Sequence, residues 1–182
     1  MITIVQKEDP ILRKTARAVP KAMFGTPELK KIIADMKAAI ESQDDAVAIA
    51  APQIGASLRI FVVSGRIFDM LREEAVTGEG TAQATKKADD MIFINPKVLK
   101  LSKDRKEMEE GCLSVRYLYG KVSRARKATV RAMNESGKAF EIDGTGLLAQ
   151  IFQHENDHLD GVLFIDSATD LEDLPPDEIE RK

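Results

Sequence analysis

The amino-acid sequence predicts an α+β fold in which mixed or antiparallel sheets pack around a C-terminal metal-binding helix. Three observations point there. Strand-like segments crowd the middle of the chain, the two segments with clear helical periodicity lie towards its ends, and the later of these carries both histidines, four residues apart. The 182 residues, 43% of them hydrophobic, suit a single domain whose core needs no staples.

The first helix is expected from Thr26 to about Ser42. Thr26 can cap it, Pro27 suits the first helical position, and Glu28 sits near the positive end of the dipole. Leu29, Ile32, Ile33, Met36 and Ile40 then form one apolar stripe. After the small-residue run Ala46 to Ala51, Leu58 to Val63 reads as a buried strand. Residues 64–90 lack sustained periodicity and are expected to be a loop insertion, with a short helix near Phe68 to Glu74 and a loop at Thr77 to Thr81.

Strand signals resume at Met91 to Ile94, stop at Asn95-Pro96 and return from Val98 to Leu101. Thr129 to Met133 and Ala139 to Ile142 flank Asn134-Glu135-Ser136-Gly137, a hairpin turn. The second helix is expected from about Thr145 to Leu159, and residues 167–182 form an acidic, Pro-containing tail.

Composition excludes several classes. One cysteine cannot close an intramolecular disulfide or supply a four-cysteine zinc or iron–sulfur site, and it favours a reducing compartment. A net charge of −3 argues against DNA as a partner, and no apolar run approaches the ~20 residues needed to span a bilayer. The N-terminus mixes charges of both signs, unlike a signal or transit peptide. A cytoplasmic monomer without membrane contact is expected.

The chemistry concentrates in Gln153-His154-Glu155-Asn156-Asp157-His158. A spacing of four places two imidazoles on one helical face, where they can converge on one ion, and Glu155 can reach a water there without ligating it. Two histidines scattered at random would fall four apart in roughly one chain in a hundred, so the spacing favours a site over ordinary helix histidines. Catalytic metal sites usually take three protein ligands, and Cys112 is the best candidate for the third, although a lone cysteine is more often a small buried hydrophobe. On the same helix face Ile151, Gln150 and Leu147 lie three, four and seven residues before His154. They form either a pocket wall or plain core.

These segments resemble those of the peptide deformylases, whose three motifs appear in order: Ala46-Val47-Ala48-Ile49-Ala50-Ala51-Pro52-Gln53, Glu110-Gly111-Cys112-Leu113-Ser114, and Gln153 to His158. The likeness runs from Asp9-Pro10-Ile11-Leu12-Arg13 to Gly161-Val162-Leu163-Phe164-Ile165-Asp166. It implies Cys112, His154 and His158 as ligands of one divalent ion, normally Fe(II), with Zn(II), Ni(II) or Co(II) as substitutes. It implies Glu155 as the acid–base, and the Gln53 side-chain amide and Leu113 backbone N–H as holders of the formyl oxygen. The substrate, an N-formyl-Met peptide or nascent chain, would run beside Ala48 and Gly111, its first side chain against Leu147, Gln150 and Ile151. The nucleophile would be a water activated by the ion, and formate the product. The chain departs from the family pattern at Ala46 and Ala48, where glycine is usual, at Arg116, where proline is frequent, and at Gln150, where an apolar or basic residue is common.

Arg116, Lys121, Arg124, Arg126, Lys127 and Arg131 make a basic stretch that could touch ribosomal RNA transiently; a strand pair with one solvated charged face is the favoured reading. Competing functions remain at this level: a zinc endopeptidase resting on the helix motif alone, a peptide- or metal-binding relative of weak activity, or a hydrolase using Cys112 as nucleophile.

Overall fold

The computed structural model describes residues 2–75 and 87–175. Its first long element, α1 (Pro27–Glu41), begins where the cap residue allows, with Leu29 N donating to Thr26 Oγ1 at 3.3 Å. Its buried stripe is Leu29, Ile33, Met36, Ala39 and Ile40. A five-stranded antiparallel sheet runs in the order β1 (Ala48–Ala50), β2 (Ile60–Val63), β3 (Met91–Leu101), β6 (Lys127–Met133), β7 (Ala139–Thr145). A second antiparallel sheet has the order β4 (Arg105–Gly111), β5 (Leu118–Ala125), β8 (Thr169–Asp173).

The larger sheet is covered on both faces near β1 to β3. Phe61, Val63 and Phe93 point towards α3 (Leu147–Leu159), packing with Phe152 and Ala149, whereas Ile60, Val62, Ile92 and Ile94 join Leu29, Ile33 and Met36 of α1. Two buried faces explain why Ile60 to Val63 is a continuous apolar run rather than an alternating one. The aromatic rings stack at the centre, Phe61 on Phe93 with centroids 4.4 Å apart.

The helix α3 is buried around most of its circumference, which is unusual for a segment rich in His, Glu, Asn and Gln. Polar side chains inside the protein must find partners, and Gln153 finds its own by docking the helix. Gln153 donates to Ala125 O at 2.9 Å and accepts from Ala125 N at 2.9 Å, clamping α3 to the end of β5. Gly144 permits the close approach, since a Cβ there would lie 2.8 Å from the Phe152 ring. The helix starts at Leu147 rather than Thr145, because Thr145 still pairs in β7 and Gly146 turns the chain at φ +54°.

Other departures from the sequence expectations have local causes. Asn95-Pro96 does not end a strand: β3 continues through a register shift between Ile94 and Lys97. Proline lacks the ladder donor, and the bulge accommodates it. Asn95, at φ +51°, uses its side chain to accept from Val19 N at 2.7 Å and donate to Val19 O at 2.9 Å. The insertion at 64–90 opens with α2 (Gly65–Ala75), longer than the short helix expected near Phe68 to Glu74, and Ile67, Phe68, Met70 and Leu71 pack on the core. The loop expected at Thr77 to Thr81 lies outside the described residues.

Part of the acidic tail is a strand. Every residue of β8 is exposed, so its sequence shows no alternation to betray it; backbone pairing with β5 and the Lys121–Asp170 ion pair (2.9 Å) hold it. The basic stretch is not one hairpin. β5 pairs with β4 and β8, whereas β6 pairs with β3 and β7. Arg124 is buried rather than solvated, and Lys121, Arg126 and Arg131 face Asp170, Asp104 and Glu141. Among the described residues, no helix is long and apolar enough to cross a membrane.

Candidate metal centre and its cleft

Three elements meet at one point. β4 delivers Glu110 and then the turn that carries Cys112, α3 presents His154 and His158 one turn apart, and a short helical turn after β1 (Ala51–Ile54) carries Gln53. The ligand atoms of Cys112, His154 and His158 lie within 4.8 Å of one another. Cys112 Sγ is 3.2 Å from His158 Nε2, and Ser114 N donates to the same sulfur at 3.4 Å. The peptide that donates that N–H is fixed from its other side, where Gln6 Nε2 donates to Leu113 O at 3.0 Å.

Each imidazole is handled differently. His154 Nδ1 faces Glu110 Oε2 at 3.0 Å, which turns its Nε2 towards the cluster, while His158 Nδ1 is buried with no partner among the described residues. Glu110 in turn accepts from Arg124 Nε (2.7 Å) and Nη2 (2.9 Å), and Arg124 Nη1 donates to Asp157 Oδ2 at 2.6 Å. Burial works against the Glu110 charge, but the bonds from Arg124 and His154 outweigh it and lower its pKa to about 2. The carboxylate therefore stays ionised, as the partner of a ligating histidine should be.

Burial also opposes charge on the imidazoles. At His154 the bonds to Cys112 and Glu110 prevail and raise the pKa well above its ordinary value; at His158 burial, helped by repulsion from His154, pushes it well below. A thiolate and two imidazoles form a soft-to-borderline donor set that suits Fe(II), Zn(II), Ni(II) or Co(II) and not Mg(II) or Ca(II). The residues fit a transition-metal ion.

Glu155 follows His154, its Oε2 buried with no partner among the described residues. Burial raises its pKa to about 7 against the attraction of His154. Gln53 is clamped: Oε1 accepts from Ala50 N at 2.8 Å, and Nε2 donates to Ser114 Oγ (3.2 Å) and Cys112 Sγ (3.5 Å), so the amide nitrogen faces the cluster.

A cleft of about 290 Å³ opens over these groups. Gln53, Cys112, Leu113, His154 and Glu155 line it, as do Ala48, Gly111, Leu147, Gln150 and Ile151; His158 closes the cluster from behind, 1% exposed. The structure therefore brings together all the residues singled out in the sequence. Gly111 is required by the opposite strand, because a Cβ there would meet the Tyr119 ring at 2.6 Å. Gln150 does not present a free amide, since its Nε2 donates to Glu109 O at 2.8 Å and Glu110 Oε1 at 3.4 Å.

Sequence reasoning overlooked Glu110, Arg124, Asp157 and Ser114 as part of the site. A ligating histidine needs a partner on its other ring nitrogen, but among 30 acidic residues nothing in the spacing marks Glu110. Arg124 was hidden among neighbouring surface cations.

The chain matches the family described as Polypeptide deformylase over residues 1–173. It is 37% identical over 163 residues to peptide deformylase 2 of Clostridium acetobutylicum, covering 90% of this chain and 92% of that one. To the peptide deformylase of Halothermothrix orenii it is 40% identical over 162 residues, 88% of each. Among solved structures, the Thermotoga maritima peptide deformylase superposes with a TM-score of 0.74 at 34% identity, covering 93% of this chain and 98% of that one. A class I type b peptide deformylase from Acinetobacter baumannii, solved with Met-Ala-Ser bound, gives 0.75 at 28% identity, covering 91% and 98%.

Proposed function

This chain belongs to the polypeptide deformylase family, metal-dependent hydrolases that remove the N-terminal formyl group from nascent peptides, and we propose how its own residues perform that reaction. Cys112, His154 and His158 hold one divalent ion, Fe(II) in the resident form, with Zn(II), Ni(II) or Co(II) accommodated by the same donors. When bound, that ion acidifies a water and polarises the formyl oxygen.

The protein's part begins with orientation. Glu110, locked by Arg124, fixes the His154 ring and keeps Nε2 aimed at the cluster. Gln53, its carbonyl tied to Ala50, directs Nε2 to where the oxygen charge develops, beside the Leu113 N–H. Removing one such donor typically costs about 10²–10³ in rate. Glu155 Oε2 takes the proton from the attacking water and later delivers it to the departing amine. Formate and a free N-terminus result.

The substrate enters along β1. Among the described residues that strand pairs only with β2, so its other edge can bond an extended peptide. The first side chain of the formyl-Met peptide fits against Leu147, Gln150 and Ile151. We assign a cytoplasmic site of action, where nascent chains are made, and a monomer whose contact with the ribosome is transient.

The observation that carries this reading is the buried Glu155 Oε2, without a partner among the described residues, beside a Cys/His/His cluster in an open cleft. The test offers metal-loaded protein formyl-Met-Ala-Ser and an unformylated internal peptide. Formate release from the first alone is expected, and Glu155→Gln should abolish it while metal content stays at one per chain. Cleavage of the second peptide would identify an endopeptidase, and near-wild-type activity of Glu155→Gln would remove the assigned proton carrier.

A further inference from the structure

The two walls of the cleft come from separate stretches, 45–48 on one side and 109–119 on the other. One side chain joins them across the mouth. Arg116 Nη1 donates to Asp45 Oδ2 at 2.6 Å, while Nη2 donates to Asp45 Oδ1 at 3.3 Å and to Gln43 Oε1 at 2.9 Å. Among the described residues that line the cleft, Arg116 is the only lysine or arginine.

Its position along the cleft is set by β1. Ala50 lies level with the cluster, because the Gln53 amide that accepts from Ala50 N also donates to Cys112 Sγ. From Ala50 the chain runs back through Ala48 to Asp45, at most about 17 Å away at ~3.3 Å per extended residue. A peptide with its formyl carbon at the cluster, laid along the open edge of β1, carries its third residue about 10 Å in that direction. The third side chain spans much of the remaining gap and meets the Arg116–Asp45 bridge.

Resting on the deformylase reading above, we propose that Arg116 is a specificity-determining residue that binds a carboxylate on the third residue of the formyl-Met peptide. The sign follows from the donor count. A guanidinium has five N–H donors, and the bridge engages three of them, leaving two for a substrate acceptor. Asp45 has both oxygens occupied and so has less to offer a cationic side chain. The members also differ in freedom: the Arg116 side chain is 24% exposed and Asp45 56%. Gln43 keeps hold of Arg116 if Asp45 swings to water, so an incoming carboxylate can replace Asp45 without dislodging the guanidinium.

The test compares formyl-Met-Ala-Asp amide, formyl-Met-Ala-Asn amide and formyl-Met-Ala-Lys amide on metal-loaded protein, each kcat/KM divided by that for formyl-Met-Ala amide. Terminal amides keep the C-terminal carboxylate out of the comparison, and formyl-Met-Ala-Ser as free acid against its amide reads that second source. A partly exposed ion pair predicts a preference for Asp over Lys of about fivefold, expressed mainly in KM. Arg116→Gln should bring the ratio to near one, and Asp45→Asn, by removing the resident competitor, should raise it. These opposite movements would not follow from a merely structural bridge. Equal turnover of Asp and Lys peptides by the wild type, or a ratio unmoved in Arg116→Gln, overturns the proposal. Loss of formate release from every formyl peptide overturns the deformylase reading instead. Equilibrium binding of Met-Ala-Asp amide against Met-Ala-Lys amide then still decides the role of Arg116.

Discussion

Replacing Arg124 by Met keeps the aliphatic stem and removes the charge, which isolates the contribution of the buried ion network. The Arg124 and Glu110 side chains are 8% and 2% exposed. Three charged bonds, at 2.7, 2.9 and 2.6 Å, would be lost from Glu110 and Asp157. Breaking a buried pair by deleting one partner typically costs about 3–5 kcal/mol, because the remaining charge has been taken out of water without compensation. In a chain of this size each kcal/mol lowers Tm by about 2–4 °C, which gives a fall of roughly 10 °C. The exposed Arg131–Glu141 pair, with side chains 58% and 48% exposed, supplies the control; Arg131→Met should cost less than about 1 kcal/mol.

Scanning calorimetry of both variants, with metal and after chelation, separates two consequences. The loss in the metal-free protein reports the network itself. A larger loss in the loaded protein reports weaker metal binding, expected at about 10–100-fold because Glu110 no longer orients His154 as firmly. Equal Tm shifts for Arg124→Met and Arg131→Met would refute the claim that this network is buried and energetically distinct.

Three further outcomes are expected. Asp166 accepts from Arg13 Nη1 and Leu163 N, and the bond from Arg13 holds its pKa below the ordinary 3.8. A folded pKa below the unfolded one gives stability that is present above the unfolded value and is lost as pH falls through the folded one. Asp166→Asn should therefore cost about 0.5 kcal/mol at neutral pH for this surface pair. In denaturant titrations the difference from wild type should shrink towards zero below pH 3.8. Gly111→Ala places a methyl 2.6 Å from the Tyr119 ring, so urea unfolding should show a loss of about 1–3 kcal/mol, relieved by Tyr119→Leu. Removal of the metal should make the Cys112 thiol, the single cysteine of the chain, titratable by a thiol reagent; a full thiol count before chelation would show that the sulfur is not a ligand.

What could be read in the sequence follows from periodicity. The stripe of α1 and the buried run of β2 were visible because burial against two layers imposes a pattern on side chains, and the spacing of His154 and His158 was visible because a helix imposes one too. β4 and β8 were not: their side chains are mostly exposed, so backbone pairing does most of the holding and leaves no apolar alternation to read. The same reasoning separates Arg124 from Arg126. Both are arginines in a basic run, but the first points into the protein against Glu110 and the second outward to Asp104. Arg124 falls on the buried face of β5 with Val122, whereas Arg126 lies beyond the end of that strand, and this becomes readable only once β5 is placed in its sheet.

The cluster itself shows why so few metal-ligating side chains suffice. Two histidines and one cysteine comprise the chain's whole supply of imidazole and thiol, and all three converge within 4.8 Å. Selectivity against other sites is then settled by composition, since no second set of these donors exists in the chain to compete for the ion. The cost falls on the surroundings, which must orient each ligand. The buried Glu110 and Arg124 and the half-buried Asp157 form a chain of charges behind His154, whereas His158 has a buried Nδ1 with no partner among the described residues. Rigidity is therefore asymmetric across the two imidazoles. A change to Glu110 or Arg124 should loosen His154 while leaving His158 placed by packing and by its contact with Cys112 Sγ, so the vulnerable half of the site is the half with the most hydrogen bonds.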